Sequence, residues 1–173
     1  MRLFIEQIKE PQNIAFEFCP EECDVPEDIG ALTKPIRFEA HVERIQQDIH
    51  ISGRIAAQVQ MTCSRCLMPH KERLDEPFEV MYLPGAVDEK KNLEEIELEE
   101  EDLNVSYYHG DFISLTDLVR EQLLLMLPIK PLCRENCKGL CPSCGKDLNE
   151  GECQCSLDIG DPRLSVLKKL LHT

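Results

Sequence analysis

The chain lacks several features that would assign it to a class at once. It has no tryptophan, aromatic residues make up only 5% of its 173 residues, and its longest apolar run is Leu123 to Leu127 followed by Pro128 and Ile129. That run is too short to cross a bilayer, which takes about 20 apolar residues. Because the first residues also lack a basic segment, an apolar core and a cleavage site, we expect no secretory signal and a soluble cytoplasmic protein.

Motifs of the common enzyme classes are also missing. The sequence contains no Ser-His-acid elbow, no glycine-rich loop for phosphate and no His-x3-His pair. His109, which precedes Gly110 and Asp111, is better explained as a polar loop residue than as part of a site. We therefore expect a protein that is not an enzyme. The alternative, a metal-dependent hydrolase, would require an open metal site.

Positive charge is scarce, since the net charge is −14. This balance argues against strong non-specific binding to nucleic acid. The charge is also segregated, because residues 34–73 sum to +3 and residues 74–102 to −10. A run as acidic as the second is typical of a solvated loop. Its functional alternative is an acidic arm that contacts a basic partner.

Cysteine, in contrast, is abundant, with ten residues in the chain. Six of them fall near the C-terminus: Cys133, Cys137, Cys141, Cys144, Cys153 and Cys155. Cys141 and Cys144 form a Cys-x2-Cys knuckle, and the glycines at 139 and 145 permit the backbone angles of such a turn. A turn of this kind supplies two of the four thiolates that Zn²⁺ binds at about 2.3 Å. Disulfides are disfavoured in a reducing compartment, and a catalytic thiol needs no such cluster.

The spacing predicts one closed, structural zinc site without deciding all of its ligands. The set that we favour is Cys137, Cys141, Cys144 and Cys153. Cys133 is an alternate for Cys137. Cys155, two residues beyond Cys153, is a second alternate, because in a strand the two side chains would share a face, but both need not bind.

A separate pair, Cys63 and Cys66, allows three interpretations. It forms a plain turn between two strands, or a second metal site with His70 or with tail cysteines, or a redox dithiol. The redox interpretation is the weakest, because prolines and charged residues follow the pair where a redox motif has a helix.

Apolar residues at every second position predict strands over residues 2–8, 36–42, 48–63 and 77–83, and prolines predict irregular structure over residues 10–33. Helical spacing and an N-cap at Ser114 predict a helix over 115–127, and a short helix is predicted over 161–171. The result is an α+β fold with an antiparallel sheet and a covering helix. We expect one domain over residues 1–132, with an acidic loop at 84–106, and a zinc knuckle with its helix over 133–173.

Several motifs together resemble the YceD family. They are Leu127-Pro128, Pro131-Leu132-Cys133, the run from Cys137 to Gly145, Leu148-Asn149, Cys153-Gln154-Cys155, Asp161-Pro162-Arg163, the turn Cys63-Ser64-Arg65-Cys66-Leu67, and Tyr108, Gly110, Asp111 and Leu115 before or in the helix. The resemblance implies a bacterial or plastid protein needed for accumulation of large-subunit ribosomal RNA. It also implies that the tail cysteines are an accessory, since some members lack them.

Two partners fit this expectation. Ribosomal RNA or its precursor would meet the basic stretch through Lys34, Arg37, Arg44, Arg54, Arg65, Lys71 and Arg73, with modest and salt-sensitive affinity. Alternatively, the acidic faces would engage a basic ribosomal protein or assembly factor without touching RNA.

Overall fold

The residues that the structure describes form one long, mostly antiparallel sheet, a short two-stranded pair and one α-helix. The computed structural model describes residues 1–23, 25–26, 29–85 and 104–155. Within these residues the elements are β1 (Arg2–Phe4), β2 (Gln12–Phe18), β3 (Ala31–Leu32), β4 (Ile36–Ile45), β5 (Asp48–Thr62), β6 (Pro69–Pro84), β7 (Val105–Tyr108), β8 (Phe112–Ser114) and α1 (Leu115–Met126).

The main sheet has the strand order β2-β4-β5-β6-β7, and β3 pairs with β5 beside the start of β4. All of its pairs are antiparallel except β6 with β7, which run parallel. The short strands β1 and β8 form a separate antiparallel pair that leads directly into α1. The predicted α+β class with an antiparallel sheet and a covering helix is confirmed.

The core lies between the inner face of the sheet and the helix. Phe38 on β4 is fully buried and contacts Phe18 and Phe78, with ring centroids 6.0 and 5.4 Å away. Because side chains alternate along a strand, the neighbours of Phe38 on β4 point to the opposite, exposed face. Helix α1 buries four apolar residues against this core: Leu115, Leu118, Val119 and Leu123.

The predicted helix is present, and its cap is the predicted one. The Ser114 hydroxyl accepts a hydrogen bond from the Asp117 backbone N–H at 3.3 Å. The helix ends at Met126, just before Pro128, which disfavours helical backbone in the residue that precedes it. The N-terminal ammonium donates to the Thr116 hydroxyl at 2.6 Å, which holds the first residue against the first turn.

The prediction of irregular structure over residues 10–33 is wrong for residues 12–18 and 31–32. Residues Gln12–Phe18 form β2, which pairs with β4 along its whole length, and Ala31–Leu32 form β3. The prolines at 11 and 20 flank β2 and do not interrupt it, and Ile14, Phe16 and Phe18 alternate as a strand requires. Tertiary pairing with β4 therefore outweighs the local proline signal.

Other boundaries also differ from the predicted ones. The first strand ends at Phe4, because Ile5–Gln7 form a 3-10 turn. Strand β6 begins at Pro69, well before the predicted 77, since its charged residues lie on the exposed face while it pairs with β5. The predicted loop 84–106 loses its last residues to β7. Its central part, 86–103, and the predicted helix 161–171 lie outside the described residues.

No helix in the described part of the chain is both long enough and apolar enough to span a membrane.

Candidate metal centres

Eight of the ten cysteines lie in two groups of four. Within each group the Sγ atoms all lie within 4.8 Å of one another. The first cluster consists of Cys63, Cys66, Cys133 and Cys137, and the second cluster of Cys141, Cys144, Cys153 and Cys155. Either group can hold a metal ion.

The first cluster joins two distant segments of the chain. Cys63 and Cys66 lie in the turn between β5 and β6, whereas Cys133 and Cys137 follow α1. The Sγ atoms of Cys63 and Cys137 are 3.8 Å apart, and those of Cys66 and Cys133 are 3.6 Å apart. A tetrahedron of sulfurs about 2.3 Å from a central ion has edges of about 3.8 Å, whereas a disulfide requires about 2.05 Å. The arrangement therefore fits a tetrahedral metal and not a disulfide.

The β5–β6 turn is closed by backbone hydrogen bonds, and the Cys63 sulfur in it accepts from further backbone N–H groups. Its hydrogen bonds run from the Cys63 N–H to the Met68 carbonyl and from the Leu67 N–H to the Cys63 carbonyl, both at 3.0 Å. The backbone N–H groups of Cys133 and then Cys66 lower the pKa of Cys63 to about 5. Such donors favour the thiolate, which is the form that binds metal.

The segment after α1 is also held on this turn by hydrogen bonds that do not involve sulfur. The Ser64 N–H donates to the Pro131 carbonyl at 2.9 Å, and the Leu140 N–H donates to the Arg65 carbonyl at 3.1 Å. The Arg65 guanidinium donates to the Cys137 carbonyl at 2.8 Å. These hydrogen bonds hold the β5–β6 turn and the segment after α1 together independently of the sulfur atoms.

The second cluster is local in sequence and closer to solvent. The Gly145 N–H donates to the Cys141 carbonyl at 2.9 Å, and the Cys141 N–H donates to the Lys146 carbonyl at 2.8 Å. Gly145 has φ of 72°, a left-handed angle that glycine adopts at little cost. The backbone N–H groups of Cys144 and Ser143 lower the pKa of Cys141 to about 6. Cys141 is buried, Cys144 is exposed, and the other two are half-buried.

The structure divides the ligand set that we favoured from the sequence. It places Cys141, Cys144 and Cys153 together, with Cys155 as the fourth thiol, and it places Cys137 in the first cluster. The alternate Cys133 also lies in the first cluster. His70 belongs to neither cluster, although both of its ring nitrogens are buried without a hydrogen-bond partner.

Asn149 connects the two clusters, although it is distinctive in the sequence only as part of the Leu148-Asn149 motif and not as a site residue. Its side-chain NH₂ group donates to the Cys137 Sγ at 3.4 Å and to the Asp147 carboxylate at 2.7 Å. Its carbonyl oxygen accepts from the Lys138 N–H at 2.8 Å. Asn149 lies in the loop of the second cluster and contacts a sulfur of the first.

Three of the basic residues considered for RNA already have partners in the protein. Arg54 pairs with Asp75 at 2.7 Å on the exposed face of the sheet. Arg44 donates to the Gln46 carbonyl at 3.0 Å, and Arg65 binds the backbone of the first cluster. The guanidinium groups of Arg44, Arg54 and Arg65 are therefore already engaged within the protein.

Three other cations do converge. Lys34, Arg37 and Arg73 line an open depression on the exposed face, together with Glu17 and Asp75. The depression lies where the chain passes from β3 to β4, a step that is anchored by the Thr33 N–H on the Gln58 carbonyl. Lys71 is exposed on the same face of β6, where it lies opposite Gln60 of β5. We call Lys34, Arg37, Lys71 and Arg73 the basic face.

The profile of the family described as "Large ribosomal RNA subunit accumulation protein YceD" matches residues 51–171, a range that contains both clusters. This chain belongs to the YceD family. An uncharacterised protein of Mycobacterium tuberculosis is 30% identical over 83% of this chain and 64% of its own length. The chain thus spans less than two thirds of that relative.

Two more distant YceD relatives extend the comparison. The uncharacterised YlbN protein of Bacillus subtilis is 25% identical over 99% of this chain and 96% of its own length. A maize protein described as "Large ribosomal RNA subunit accumulation protein YCED homolog 1, chloroplastic" is 23% identical over 70% of this chain and 48% of its own length. No solved structure matches the chain.

Proposed function

We propose that this protein is a non-enzymatic accessory factor in ribosome biogenesis, which acts in the cytoplasm of a bacterium and supports the accumulation or processing of large-subunit ribosomal RNA. The observation that carries the proposal is membership of the YceD family, whose match extends from β5 through both cysteine clusters. The maize relative is described by the same role.

The second cluster supports a role without catalysis. We propose that it binds Zn²⁺ through Cys141, Cys144, Cys153 and Cys155. Cys155 thus replaces Cys137 of the predicted ligand set. Four thiolates complete a tetrahedral shell, so that no position stays open for a substrate or an activated water. The same four-thiol composition holds for the first cluster. Metal in this protein thus stabilises structure.

The basic face is the surface that we propose for RNA. Lys34 and Arg37, on either side of the start of β4, meet Arg73 of β6 at one depression, where their side chains can contact phosphates. Glu17 and Asp75 line the same depression and reduce its positive potential. We therefore expect modest affinity with a strong dependence on salt.

The experiment compares variants of the basic face with a matched loss of charge elsewhere. Arg37→Ala/Arg73→Ala removes two cations of the face, and Lys9→Ala/Lys130→Ala removes two exposed cations outside it. RNA from the large subunit is titrated with each protein at several salt concentrations. The first variant should reduce the slope of log affinity against log salt by about 1.5, and the second should leave it close to wild type. Equal slopes of log affinity against log salt for both variants would exclude the basic face as the RNA-binding surface.

A second candidate function is an acidic protein-interaction module. The net charge of −14 favours it, because an acidic surface speeds encounter with a basic ribosomal protein or assembly factor. A pull-down from the native cells at low and high salt, with and without ribonuclease, separates the two functions. Recovery of one basic protein after ribonuclease treatment, with no RNA, would support this second function and contradict direct RNA binding.

A further inference from the structure

We propose that the first cluster binds a second Zn²⁺, which joins the sheet to the tail, and that Asn149 couples this site to the second cluster. This inference goes beyond the zinc of the second cluster. It concerns how the molecule is assembled, so that it holds or fails independently of RNA binding.

The geometry of the first cluster requires an explanation that a plain turn does not supply. Cys63, Cys66 and Cys137 are at most 4% exposed, and the cluster has apolar neighbours in Leu132 and Leu140. The four Sγ atoms surround one point, with 3.8 Å between those of Cys63 and Cys137 and 3.6 Å between those of Cys66 and Cys133. A central ion that bonds all four sulfurs accounts for this spacing, because a tetrahedral thiolate site has edges of about 3.8 Å.

The positions of the ligands in the chain define the role of this ion. The pairs of sulfurs that face each other are separated by 74 residues for Cys63 and Cys137 and by 67 for Cys66 and Cys133. Two ligands come from the turn that closes the longest hairpin of the sheet, and two from the segment behind α1. An ion bound by both pairs fixes the tail to the sheet. The backbone bonds from Ser64 and Leu140 align the two segments for it.

Asn149 makes the two sites dependent on each other. Its loop lies between Cys144 and Cys153, so a metal in the second cluster orders the loop from both ends. The ordered loop places the Asn149 amide 3.4 Å from the Cys137 sulfur, where its N–H stabilises a thiolate ligand of the first site. Because coupling between binding sites is reciprocal, each ion is expected to strengthen the binding of the other.

The first experiment counts zinc by native mass spectrometry and elemental analysis of the full-length protein. Wild type should hold two ions of zinc per chain. Cys133→Ser and Cys153→Ser, which alter one cluster each, should each hold one, and the control Cys19→Ser should hold two. Cys133 is exposed, so that its replacement is compatible with folding.

Three results would overturn the proposal. One is a single zinc in wild type that is lost in Cys153→Ser and retained in Cys133→Ser. Another is a metal-free protein whose mass is lower by two hydrogens and shows a disulfide between the two segments. The third is iron in place of zinc in the first cluster. None of these outcomes depends on RNA, so a failure of the proposed function is distinguishable from a failure of this inference.

The coupling has its own test. Asn149→Ala should still hold two ions but should release the zinc of the first cluster about tenfold faster to a competing chelator. The matched control is Glu150→Ala, an exposed neighbour in the same loop, which should release it at the wild-type rate. Release at the same rate from both variants would show that the two sites are independent.

Discussion

Each of the two clusters consists of four cysteines, but the segments of chain that supply them differ. The second is made within 15 residues of chain, around one knuckle with three of its thiols partly or fully exposed. The first combines a hairpin turn of the sheet with the segment behind the helix, and three of its four thiols are buried. A local cluster can organise only its own loop. A cluster assembled across the fold depends on the sheet and in turn holds the tail against it.

The largest effect is expected from damage to the sheet core, on which the first cluster depends. Phe38→Ala should lower the free energy of unfolding by about 4 kcal/mol, because a fully buried ring that contacts two others leaves a cavity. In a urea titration with a zinc-sensitive dye, the first zinc should be released in the same transition as the sheet, and the second in a separate one. Ile45→Ala, at a position 48% exposed, is the control with a small effect. Release of both ions in one step would contradict the difference between the clusters.

Replacing one ligand in each cluster tests this difference in construction directly. Cys66→Ser should lower the melting temperature by about 10 °C, because it removes the link between sheet and tail. Cys144→Ser should lower it by less than about 4 °C, since its cluster is local. Circular dichroism gives the melting temperature, and limited proteolysis should cut only Cys66→Ser between residues 128 and 136. Equal melting temperatures and equal cleavage would show that the tail is attached without the first cluster.

A smaller effect is expected from Arg65, which supports the first cluster from outside its sulfurs. Arg65→Ala loses the hydrogen bond to the Cys137 carbonyl and should cost about 1 kcal/mol. Zinc should also leave the first cluster faster, while its release from the second should change less, through the coupling alone. The control is Arg134→Ala, which removes an exposed cation in the same segment. A similar cost in both variants would attribute the effect to lost charge.

The smallest effect is expected from the ion pair between Arg54 and Asp75. Both side chains are more than half exposed, at 57% and 63%, so that solvent screens their attraction. Arg54→Ala should leave the urea midpoint and both zinc ions unchanged. Its effect on RNA affinity should also be smaller than that of Arg73→Ala. An Arg54→Ala variant that loses RNA binding as fully as Arg73→Ala would extend the basic face to the whole exposed surface.

Some of this structure could be predicted from short stretches of sequence because local physics decides it. The helix follows from apolar spacing, the Ser114 cap and Pro128, all within 15 residues. The knuckle at Cys141 and Cys144 follows from two cysteines in one turn with glycine behind them. Strands β4 and β5 follow from strict alternation. Strand β2 was missed because its flanking prolines are as visible in the sequence as its alternation, and only pairing with β4 decides between the two signals.

Composition and local pattern establish that the chain is acidic and rich in clustered thiols, and they predict alternating strands and a helix capped by Ser114. The tertiary structure decided which thiols share a site. Spacing assigned Cys137 to the nearest knuckle, whereas the fold brings the Cys63–Cys66 turn to it from 74 residues away. Ligands of a metal are neighbours in space, and a sequence records only neighbours along the chain. The partition of the cysteines therefore depends on the sheet and helix that place the two segments together.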